Sequence, residues 1–271
     1  MQNAQLEKHA NNIRKDIIIE THSAQSGHPG GSLGAADLIT SLYFEEMDIN
    51  KENLGTTDRD RFVLSKGHAS PALYGVFAEK GFIDPELLPT FRHLGSPLQG
   101  HPSMKCLKGI DMSTGSLGQG ISTAVGMALA NKLDNSSHRV YALLGDGECQ
   151  EGEVWEATMS AAHYKLDNLC IIVDNNDLQI DGHVHDVMNV APLDEKFKAF
   201  GCYVINIDGH DFDQIRDAFA QARKNKGKPT AIIAKTIKGK GVSFMEDQVN
   251  WHGVAPNTEQ KDAALKELEA K

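Results

Sequence analysis

From residue 139 onward the chain alternates short apolar segments with segments of helical periodicity. Short apolar runs are typical of strands buried on both faces of a sheet, and the segments between them are long enough for crossover helices. The alternation therefore predicts an α/β fold in which a parallel sheet is flanked by helices. The predicted strands are 140–145, 168–174, 202–207 and 230–235, and the predicted helices are 151–164, 193–200 and 212–223.

The N-terminal part of the chain carries fewer strand signals. Residues 6–22 and 32–47 have apolar residues at helical spacing, and the SGHPGG segment between them contains glycine and proline, which interrupt helices. The run RFVL at 61–64 predicts one short strand. The small residues of 117–133 predict a helix that packs closely against a flat surface, because glycine and alanine allow near backbone approach.

No internal repeat, low-complexity tract or linker divides the sequence. The tail from Asn257, which is rich in Lys, Glu and Ala, predicts a solvated terminal helix. We therefore predict one α/β domain over residues 1–271, with an N-terminal helical cap.

The charge balance limits the partners of the chain. Lys and Arg number 27 against 37 Asp and Glu, and the net charge of −10 disfavours a broad nucleic-acid surface and adhesion to anionic membranes. A phosphate-bearing ligand must then be held by a local group of cations. Residues 1–16 lack the apolar core of a signal peptide, and the apolar run 168–173 is too short to span a bilayer, so we expect a cytoplasmic protein. The four cysteines show no CxxC spacing, which favours reduced, mostly buried thiols.

An acidic residue stands at the end of the first strand of the alternating region. This strand ends at Gly145 and is followed by Asp146 and Gly147, and the next strand is followed by Asn176 and Leu178. If the two strands are neighbours, the Asp146 carboxylate, the Asn176 amide oxygen and a backbone carbonyl near Leu178 converge on one cation. These hard oxygen ligands suit Mg²⁺, with Ca²⁺ or Mn²⁺ as substitutes, and the glycines let a diphosphate approach the backbone.

The spacing between the GDG and NN motifs resembles the thiamine diphosphate-binding signature, and further motifs narrow the resemblance to the N-terminal half of the transketolase family. Any one motif alone is also compatible with ordinary turn chemistry. Taken in order, the motifs cover almost the full chain. They are SGHPGGSLG (26–34), LSKGHASP (64–71), GHP (100–102), TGSLGQG (114–120), LGDGECQEGEVWEA (144–157), DNNDLQIDG (174–182), KTIKGKG (235–241) and WHG (251–253).

The resemblance assigns roles to four histidines. In the family, the residues matching His28 and His252 lie beside the reacting carbons and manage protons of substrate hydroxyls. The residue matching His101 contacts the donor sugar, and the one matching His68 binds the diphosphate. Imidazole suits this work because it donates or accepts a proton near neutral pH. For the remaining histidines we expect ordinary structural contacts: His9, His22, His93, His138, His163, His183, His185 and His210.

Further positions match the family outside the histidines. Gly115 and Leu117 match backbone positions that lie against the aminopyrimidine ring, and Lys238 matches a lysine near the diphosphate. Glu151 and Glu156 match acids near the subunit interface that couple the cofactor sites, and they complete the predicted catalytic set. Helix packing for TGSLGQG, a solvated loop for KGKG and surface salt bridges for the two glutamates stay open as alternatives. The predicted cofactor contacts are His68, Gly115, Leu117, Gly145, Gly147, Asn176, Lys238 and His252.

The resemblance implies a transketolase that uses thiamine diphosphate and Mg²⁺ to transfer a two-carbon ketol unit from a ketose phosphate to an aldose phosphate, as in pentose phosphate metabolism. Full-length family members contain two more domains, one of which holds the pyrimidine ring and supplies an activating glutamate, and no motif here matches them. We therefore expect the N-terminal subunit of a split transketolase, in an α2β2 assembly with a C-terminal-half subunit. A fragment of a longer enzyme is the alternative.

Two other functions stay open at the level of the sequence. The α subunit of a 2-oxoacid dehydrogenase shares the GDG and NN motifs, but it is expected to lack the four histidine motifs. A cofactor-binding protein without catalytic activity is the other alternative. The identity of the ketose and the aldose also stays open, because most residues that hold the sugar phosphate belong to the other half of the enzyme.

Overall fold

The computed structural model of the chain describes residues 1–270, and a parallel sheet of five strands lies at its centre. The strands pair in the order β1-β2-β3-β5-β4. The predicted fold class is confirmed, and the ends of each predicted strand are displaced by at most one residue. The strands are β1 Arg61–Leu64, β2 Val140–Gly145, β3 Leu169–Asn175, β4 Tyr203–Asp208 and β5 Thr230–Lys235.

Helices flank the sheet with the following bounds: α1 Asn3–Ala24, α2 Pro29–Ser41, α3 Ser70–Glu79, α4 Gln119–Leu133, α5 Gly152–His163, α6 Val184–Val187, α7 Leu193–Ala199, α8 Phe212–Lys224 and α9 Thr258–Glu269. Helices α1, α2, α3 and α8 contribute to the apolar core on one face of the sheet. Helices α4, α5 and α7 contribute to the core on the opposite face.

The central strand β2 shows why the apolar runs lack a polar alternation. Tyr141 and Leu143 pack into one core, whereas Ala142 and Leu144 pack into the other, and all four side chains are buried. Successive side chains of a strand point to opposite faces, so a strand covered on both faces is apolar at every position. The edge strand β4 differs, because its exposed and buried residues alternate.

Two expectations about helices need correction. Helix α9 is not fully solvated: Ala264 and Leu268 are buried, and the Asn11 side chain donates a hydrogen bond to the Leu268 carbonyl at 2.6 Å. The pair is four residues apart, which gives this charged helix one narrow apolar stripe that packs against α1. In α4, a Cβ on Gly120 would lie 2.6 Å from the Ser65 Cα, as close packing predicts, but Gly126 faces open space.

The second helix of the chain ends earlier than the predicted range 32–47. Helix α2 begins at Pro29, a favoured residue in the first helical turn, and ends at Ser41. A short π-helical turn then spans Leu42–Glu46. The predicted range 32–47 therefore combines two elements. The helices at the N-terminus pack on one face of the sheet, and a single domain over 1–271 stays a prediction.

Within residues 1–270, no helix is both long enough and apolar enough to cross a membrane. The cysteines are free thiols, and three of them, Cys149, Cys170 and Cys202, are buried, while Cys106 is exposed. This distribution agrees with the expectation of reduced and mostly buried thiols.

Candidate active site

Strands β2 and β3 are neighbours, and the polar residues that follow them meet at the carboxyl edge of the sheet. Gly145 is in register with Asp174, and the Asp146 N–H donates to the Asp174 carbonyl at 3.2 Å. A cavity of about 400 Å³ lies at this edge. Such an edge is where open parallel α/β sheets bind ligands.

The cavity brings together every predicted site residue except Glu156, which lies on the exposed side of α5. Glu156 is assigned to a subunit interface rather than to the cofactor, and that assignment stays a prediction. The predicted residues that line the cavity are His28, His68, His101, Gly115, Leu117, Gly145, Asp146, Gly147, Glu151, Asn176, Leu178, Lys238 and His252. The lining residues that were not predicted from the sequence are Gly31, Lys66, Glu148, Gln150, Gln179 and Ile180.

The three predicted metal ligands present hard oxygen atoms in the cavity. The Asp146 carboxylate accepts hydrogen bonds from the backbone N–H groups of Gly147, at 2.8 Å, and Asp177. The Asn176 amide donates to the Asp174 carboxylate at 3.0 Å, which orients its oxygen towards the Leu178 N–H at 3.1 Å. Carboxylate, amide and carbonyl oxygens form the donor set that Mg²⁺ and Ca²⁺ prefer.

Lys238 already contacts one of these oxygens. Its Nζ donates to the Leu178 carbonyl at 2.9 Å and to Nδ1 of His252 at 2.8 Å. Burial, with the charge of the neighbouring Lys66 as the second cause, lowers the pKa of Lys238 to about 8. A cation bound at the Leu178 carbonyl would require the Lys238 ammonium to change partner, and a diphosphate oxygen is a suitable new acceptor.

Burial raises the pKa of Asp146 to about 7, with repulsion from the Asp174 carboxylate as the second cause. A metal ion bound by this carboxylate would compete with a proton in this range of pH. The carboxylate is mostly ionised only well above pH 7.

Metal-dependent cofactor binding should therefore weaken as the pH falls below about 7. We expect a loss of about tenfold in apparent affinity per pH unit, because one proton must leave the Asp146 carboxylate. Calorimetry with Mg²⁺ and thiamine diphosphate, from about pH 5.5 to about pH 8.5, measures this dependence. Asp146→Asn is the control, since the phosphate titrates equally with both proteins, and a wild-type profile parallel to that of the variant would contradict the assignment.

A buried ion pair between Lys66 and Asp174 lies next to the site and was not predicted from the sequence. The Lys66 ammonium contacts the Asp174 carboxylate and donates to the Gly31 carbonyl at 3.2 Å. Burial alone would raise the pKa of Asp174, but the charge of Lys66 lowers it below its ordinary value. Lys66 also lines the cavity, so a second ammonium faces the space where an anionic ligand would bind.

Glu148 joins three loops of the cavity wall and was also not predicted. Its carboxylate accepts hydrogen bonds from the Ser65 hydroxyl at 2.5 Å, the Gly118 N–H at 2.9 Å and the Gly145 N–H at 3.1 Å. Burial raises the pKa of this carboxyl above its ordinary value. Because its partners lie on the loop after β1, on the loop before α4 and at the end of β2, Glu148 holds these segments in a fixed relation.

The four predicted histidines form one cluster. The ring of His28 lies 5.1 Å from that of His68, 5.4 Å from that of His252 and 6.4 Å from that of His101, measured between centroids. Burial lowers the pKa of His28 to about 4 and that of His252 to about 3, and nearby cations including Lys238 contribute. Burial also lowers the pKa of His68 and His101. The imidazoles are therefore neutral near pH 7 and able to accept protons or hydrogen bonds from hydroxyl groups.

The residues around the cavity fit a diphosphate cofactor. In a chain of net charge −10, Lys66 and Lys238 face this cavity together with the four histidines. Two buried polar atoms of the lining, Nδ1 of His28 and Nε2 of Gln179, have no hydrogen-bond partner among residues 1–270. Buried polar groups usually have a hydrogen-bond partner, and these two atoms are available to contact a ligand in the cavity.

Two glycines of the TGSLGQG motif have specific steric roles. A Cβ on Gly115 would lie 3.2 Å from the His101 ring, and Leu117 lies two residues further along the same wall of the cavity. At Gly118 a Cβ would lie 2.8 Å from Cβ of Glu151. These glycines therefore allow the loop before α4 to pack closely against His101, which lines the cavity, and against Glu151 at the start of α5.

The family description "Transketolase, thiamine diphosphate binding domain" matches residues 6–269 of the chain. The chain belongs to the transketolase family. The resemblance that the ordered motifs indicate is thereby confirmed, as is a thiamine diphosphate-binding domain.

Curated relatives include separate transketolase subunits. The chain is 46% identical over 268 residues to a 6-deoxy-6-sulfo-D-fructose transketolase subunit of Clostridium sp. (strain MSTE9), covering 99% of this chain and 98% of the relative. It is 41% identical over 265 residues to an apulose-4-phosphate transketolase subunit of Actinobacillus succinogenes, covering 97% and 96%. These matches over the whole length of named subunits confirm the prediction of an N-terminal transketolase subunit.

Full-length transketolases match over part of their length. The chain is 45% identical over 245 residues to human transketolase, which is 90% of this chain and 39% of the human protein. The crystal structure of transketolase from Campylobacter jejuni superimposes with a TM-score of 0.93 at 37% identity, covering 99% of this chain and 43% of that one. The chain thus spans about two fifths of the length of these single-chain enzymes.

Proposed function

We propose that the chain transfers a two-carbon ketol unit from a ketose phosphate to an aldose phosphate when it is paired with a C-terminal-half subunit, in an assembly with two copies of each. The observation that carries this proposal is the convergence of four neutral histidines with a metal-binding set of oxygens in one cavity. Metal ligands alone would suit many diphosphate enzymes, whereas the histidine cluster suits a substrate with several hydroxyl groups.

The cofactor of this reaction is thiamine diphosphate with Mg²⁺, for which Ca²⁺ or Mn²⁺ can substitute. When bound, thiamine diphosphate supplies the carbanion chemistry that cleaves and forms the carbon–carbon bond next to the ketose carbonyl. Asp146, Asn176 and the Leu178 carbonyl would hold the metal ion, because they present three hard oxygen donors where β2 and β3 end. His68 and Lys238 bind the diphosphate, and Gly145 and Gly147 let it approach the backbone.

The histidines of the cluster handle the protons of the sugar. His28 and His252 lie within 5.4 Å of each other between ring centroids, so both reach the hydroxyl groups of one substrate. Their lowered pKa values keep both imidazoles neutral. His28, whose Nδ1 has no partner among residues 1–270, can accept a hydroxyl proton and return it later. The Nδ1 of His252 accepts a hydrogen bond from Lys238, so His252 offers its Nε2 N–H to a substrate oxygen. His101, at the same cavity, hydrogen-bonds the donor sugar.

Removing His28 or His252 should lower turnover much more than cofactor affinity. We expect His28→Ala and His252→Ala to reduce kcat by roughly 100- to 10,000-fold, the usual contribution of a general acid–base group. Affinity for thiamine diphosphate should change by about threefold at most, because the proposed contacts are made to the substrate. Steady-state kinetics and calorimetry on the assembled enzyme measure the two quantities.

The exposed residue His93 provides the matched control for these variants. His93→Ala removes the same side chain outside the cavity and should leave both quantities unchanged. Equal losses of turnover and cofactor affinity in His28→Ala would place His28 in the cofactor site instead.

The reaction itself is tested by assaying the co-purified pair of subunits against a panel of ketoses with an aldose acceptor. The relatives named above act, according to their names, on 6-deoxy-6-sulfo-D-fructose and apulose 4-phosphate, so the panel should contain these two and xylulose 5-phosphate. Mass spectrometry should detect an aldose lengthened by two carbons. Decarboxylation of a 2-oxoacid would favour a dehydrogenase subunit, and cofactor binding with no turnover would favour a non-catalytic protein. Pentose phosphate metabolism and a cytoplasmic location stay predictions.

A further inference from the structure

The loop that follows the proposed metal ligand Asn176 brings two histidines and a carboxylate together outside the cofactor cavity. Nδ1 of His185 lies 2.7 Å from Oδ2 of Asp177, and Nδ1 of His183 lies 3.2 Å from the same oxygen. The ligand atoms of the three residues all lie within 4.8 Å of one another. From the sequence, neither histidine was expected to have a role beyond ordinary structural contacts.

The backbone of this loop holds the three side chains in place. Asp177 has a positive φ of 59°, and its carbonyl accepts a hydrogen bond from the Val184 N–H at 2.8 Å. Leu178 and His183 form an isolated antiparallel bridge, and the Gln179 N–H donates to the Gly182 carbonyl at 2.9 Å. The loop therefore closes on itself as a short hairpin.

The distances from the two histidine Nδ1 atoms to Oδ2 of Asp177 are close to the separation of neighbouring ligand atoms around a metal ion. Zinc binds histidine nitrogen and carboxylate oxygen at about 2.0–2.2 Å in tetrahedral geometry, which places neighbouring ligand atoms about 3.4 Å apart. The observed separations of 2.7 and 3.2 Å need only small adjustments to reach this value. As hydrogen bonds alone, the same contacts would need both rings to carry their proton on Nδ1 and to share one oxygen atom.

A second carboxylate lies behind one of the rings. Oδ1 of Asp186 is 3.5 Å from Nε2 of His185, on the opposite side of the ring from Asp177. Metal-binding histidines commonly direct their other ring N–H to a carboxylate, which fixes the tautomer and strengthens the ligand. Since His183 and His185 are about half-exposed, solvent can supply a fourth ligand.

We propose that Asp177, His183 and His185 bind one divalent transition-metal ion of the zinc class, at a site separate from the Mg²⁺ site of the cofactor. The two-nitrogen, one-oxygen donor set favours zinc, cobalt or nickel over Mg²⁺, which prefers oxygen ligands alone. The two sites share a loop, because the Asp177 N–H donates to the Asp146 carboxylate and Leu178 follows directly. A metal ion on the hairpin therefore stabilises the arrangement of Asn176 and Leu178 that the cofactor site requires.

The binding site is tested by titrating the full chain with Co²⁺, and then by displacing Co²⁺ with Zn²⁺, in a buffer containing excess Mg²⁺. We expect one ion per chain, with the visible absorption of tetrahedral cobalt. His183→Ala and His185→Ala should each weaken Zn²⁺ binding by about 100-fold, since each removes a ligand. The exposed residue His163 lies outside the loop, and His163→Ala is the matched control with unchanged binding.

A fourth variant separates this proposal from the proposed function. Asp146→Ala removes the only charged ligand of the cofactor metal, but it should leave the cobalt spectrum and the stoichiometry of one ion per chain intact. Circular dichroism of each variant before titration establishes that it is folded. No saturable binding, or equal binding by wild type and His185→Ala, would overturn the zinc-class site even if thiamine diphosphate still binds.

The link between the two sites rests on the proposed function and has its own measurement. Saturation with Zn²⁺ should raise the affinity of the chain for thiamine diphosphate and Mg²⁺ by about fivefold, the lower end of typical coupling between sites, and cofactor should raise Zn²⁺ affinity by the same factor. The increase should be absent in His185→Ala. Cofactor affinity that is identical with and without Zn²⁺ in the wild-type chain would overturn the coupling.

Discussion

Alanine in place of Asp146 is expected to lower affinity for thiamine diphosphate in the presence of Mg²⁺ by roughly 100-fold or more, the range found when one partner of a buried charge pair is removed. The Asp146 carboxylate is 2% exposed, and it is the only charged group among the three proposed ligands. Neither Asn176 nor the Leu178 carbonyl can replace its charge next to a divalent cation.

The same substitution should leave the fold intact. Burial and the Asp174 carboxylate raise the pKa of Asp146 to about 7, well above its ordinary value of 3.8. Between these values the unfolded chain ionises this carboxyl and the folded chain does not, so ionisation opposes folding increasingly up to about pH 7. Alanine removes this cost, which offsets the lost hydrogen bonds from Gly147 and Asp177. Calorimetry and thermal unfolding measure affinity and stability on the same sample.

Asp181→Ala is the matched control, because Asp181 is an exposed carboxylate in the loop after β3 and lies outside the cavity. It removes the same charge from the same region and should leave cofactor affinity unchanged. Asp146→Asn adds a second test, since it keeps the shape of the side chain and removes the charge. Cofactor affinity near that of the wild type in both Asp146 variants would show that the metal site lies elsewhere.

The sequence predicted the strands and the cavity lining well because both depend on local patterns. β2 and β3 are apolar at nearly every position, and glycines or polar residues mark where each strand ends. Once two such strands are neighbours, the residues after them must meet at one edge of the sheet. The positions of Asp146 and Asn176 follow from this arrangement alone.

The supporting contacts of the site could not be predicted in the same way. Lys66 and Asp174 are 108 residues apart in the chain, and Ser65 and Glu148 are 83 apart. Each residue considered alone is an ordinary polar residue, and its burial depends on how the loops after β1 and β2 pack. Lys66 belongs to the LSKGHASP motif, in which the diphosphate-binding role was assigned to His68. A lysine two residues after an apolar strand, at the edge of the sheet where ligands bind, was the signal that could have identified it.

Ketol transfer by the chain alone should be at least about 1,000-fold slower than by the chain mixed with its C-terminal-half subunit, within the range that acid–base groups contribute. Among residues 1–270 the acids that line the cavity are Asp146, Glu148 and Glu151. Asp146 is the proposed metal ligand, and Glu148 is occupied by hydrogen bonds from Ser65, Gly118 and Gly145. Glu151, which is exposed, is assigned by the family resemblance to the subunit interface. On these assignments no acid of the cavity is left to activate the aminopyrimidine ring, and we expect the partner to supply it.

The measurement is the rate of two-carbon transfer at saturating thiamine diphosphate and Mg²⁺, recorded while the partner subunit is added to a fixed concentration of the chain. The rate should rise with added partner and saturate at equal amounts of the two subunits. The Asp146→Ala chain with the same partner is the control, because any activity it retains belongs to contaminating host enzyme. Transfer by the wild-type chain alone, at a rate that the partner does not change and that Asp146→Ala abolishes, would show that this chain carries the whole catalytic apparatus and that the two-subunit proposal is wrong.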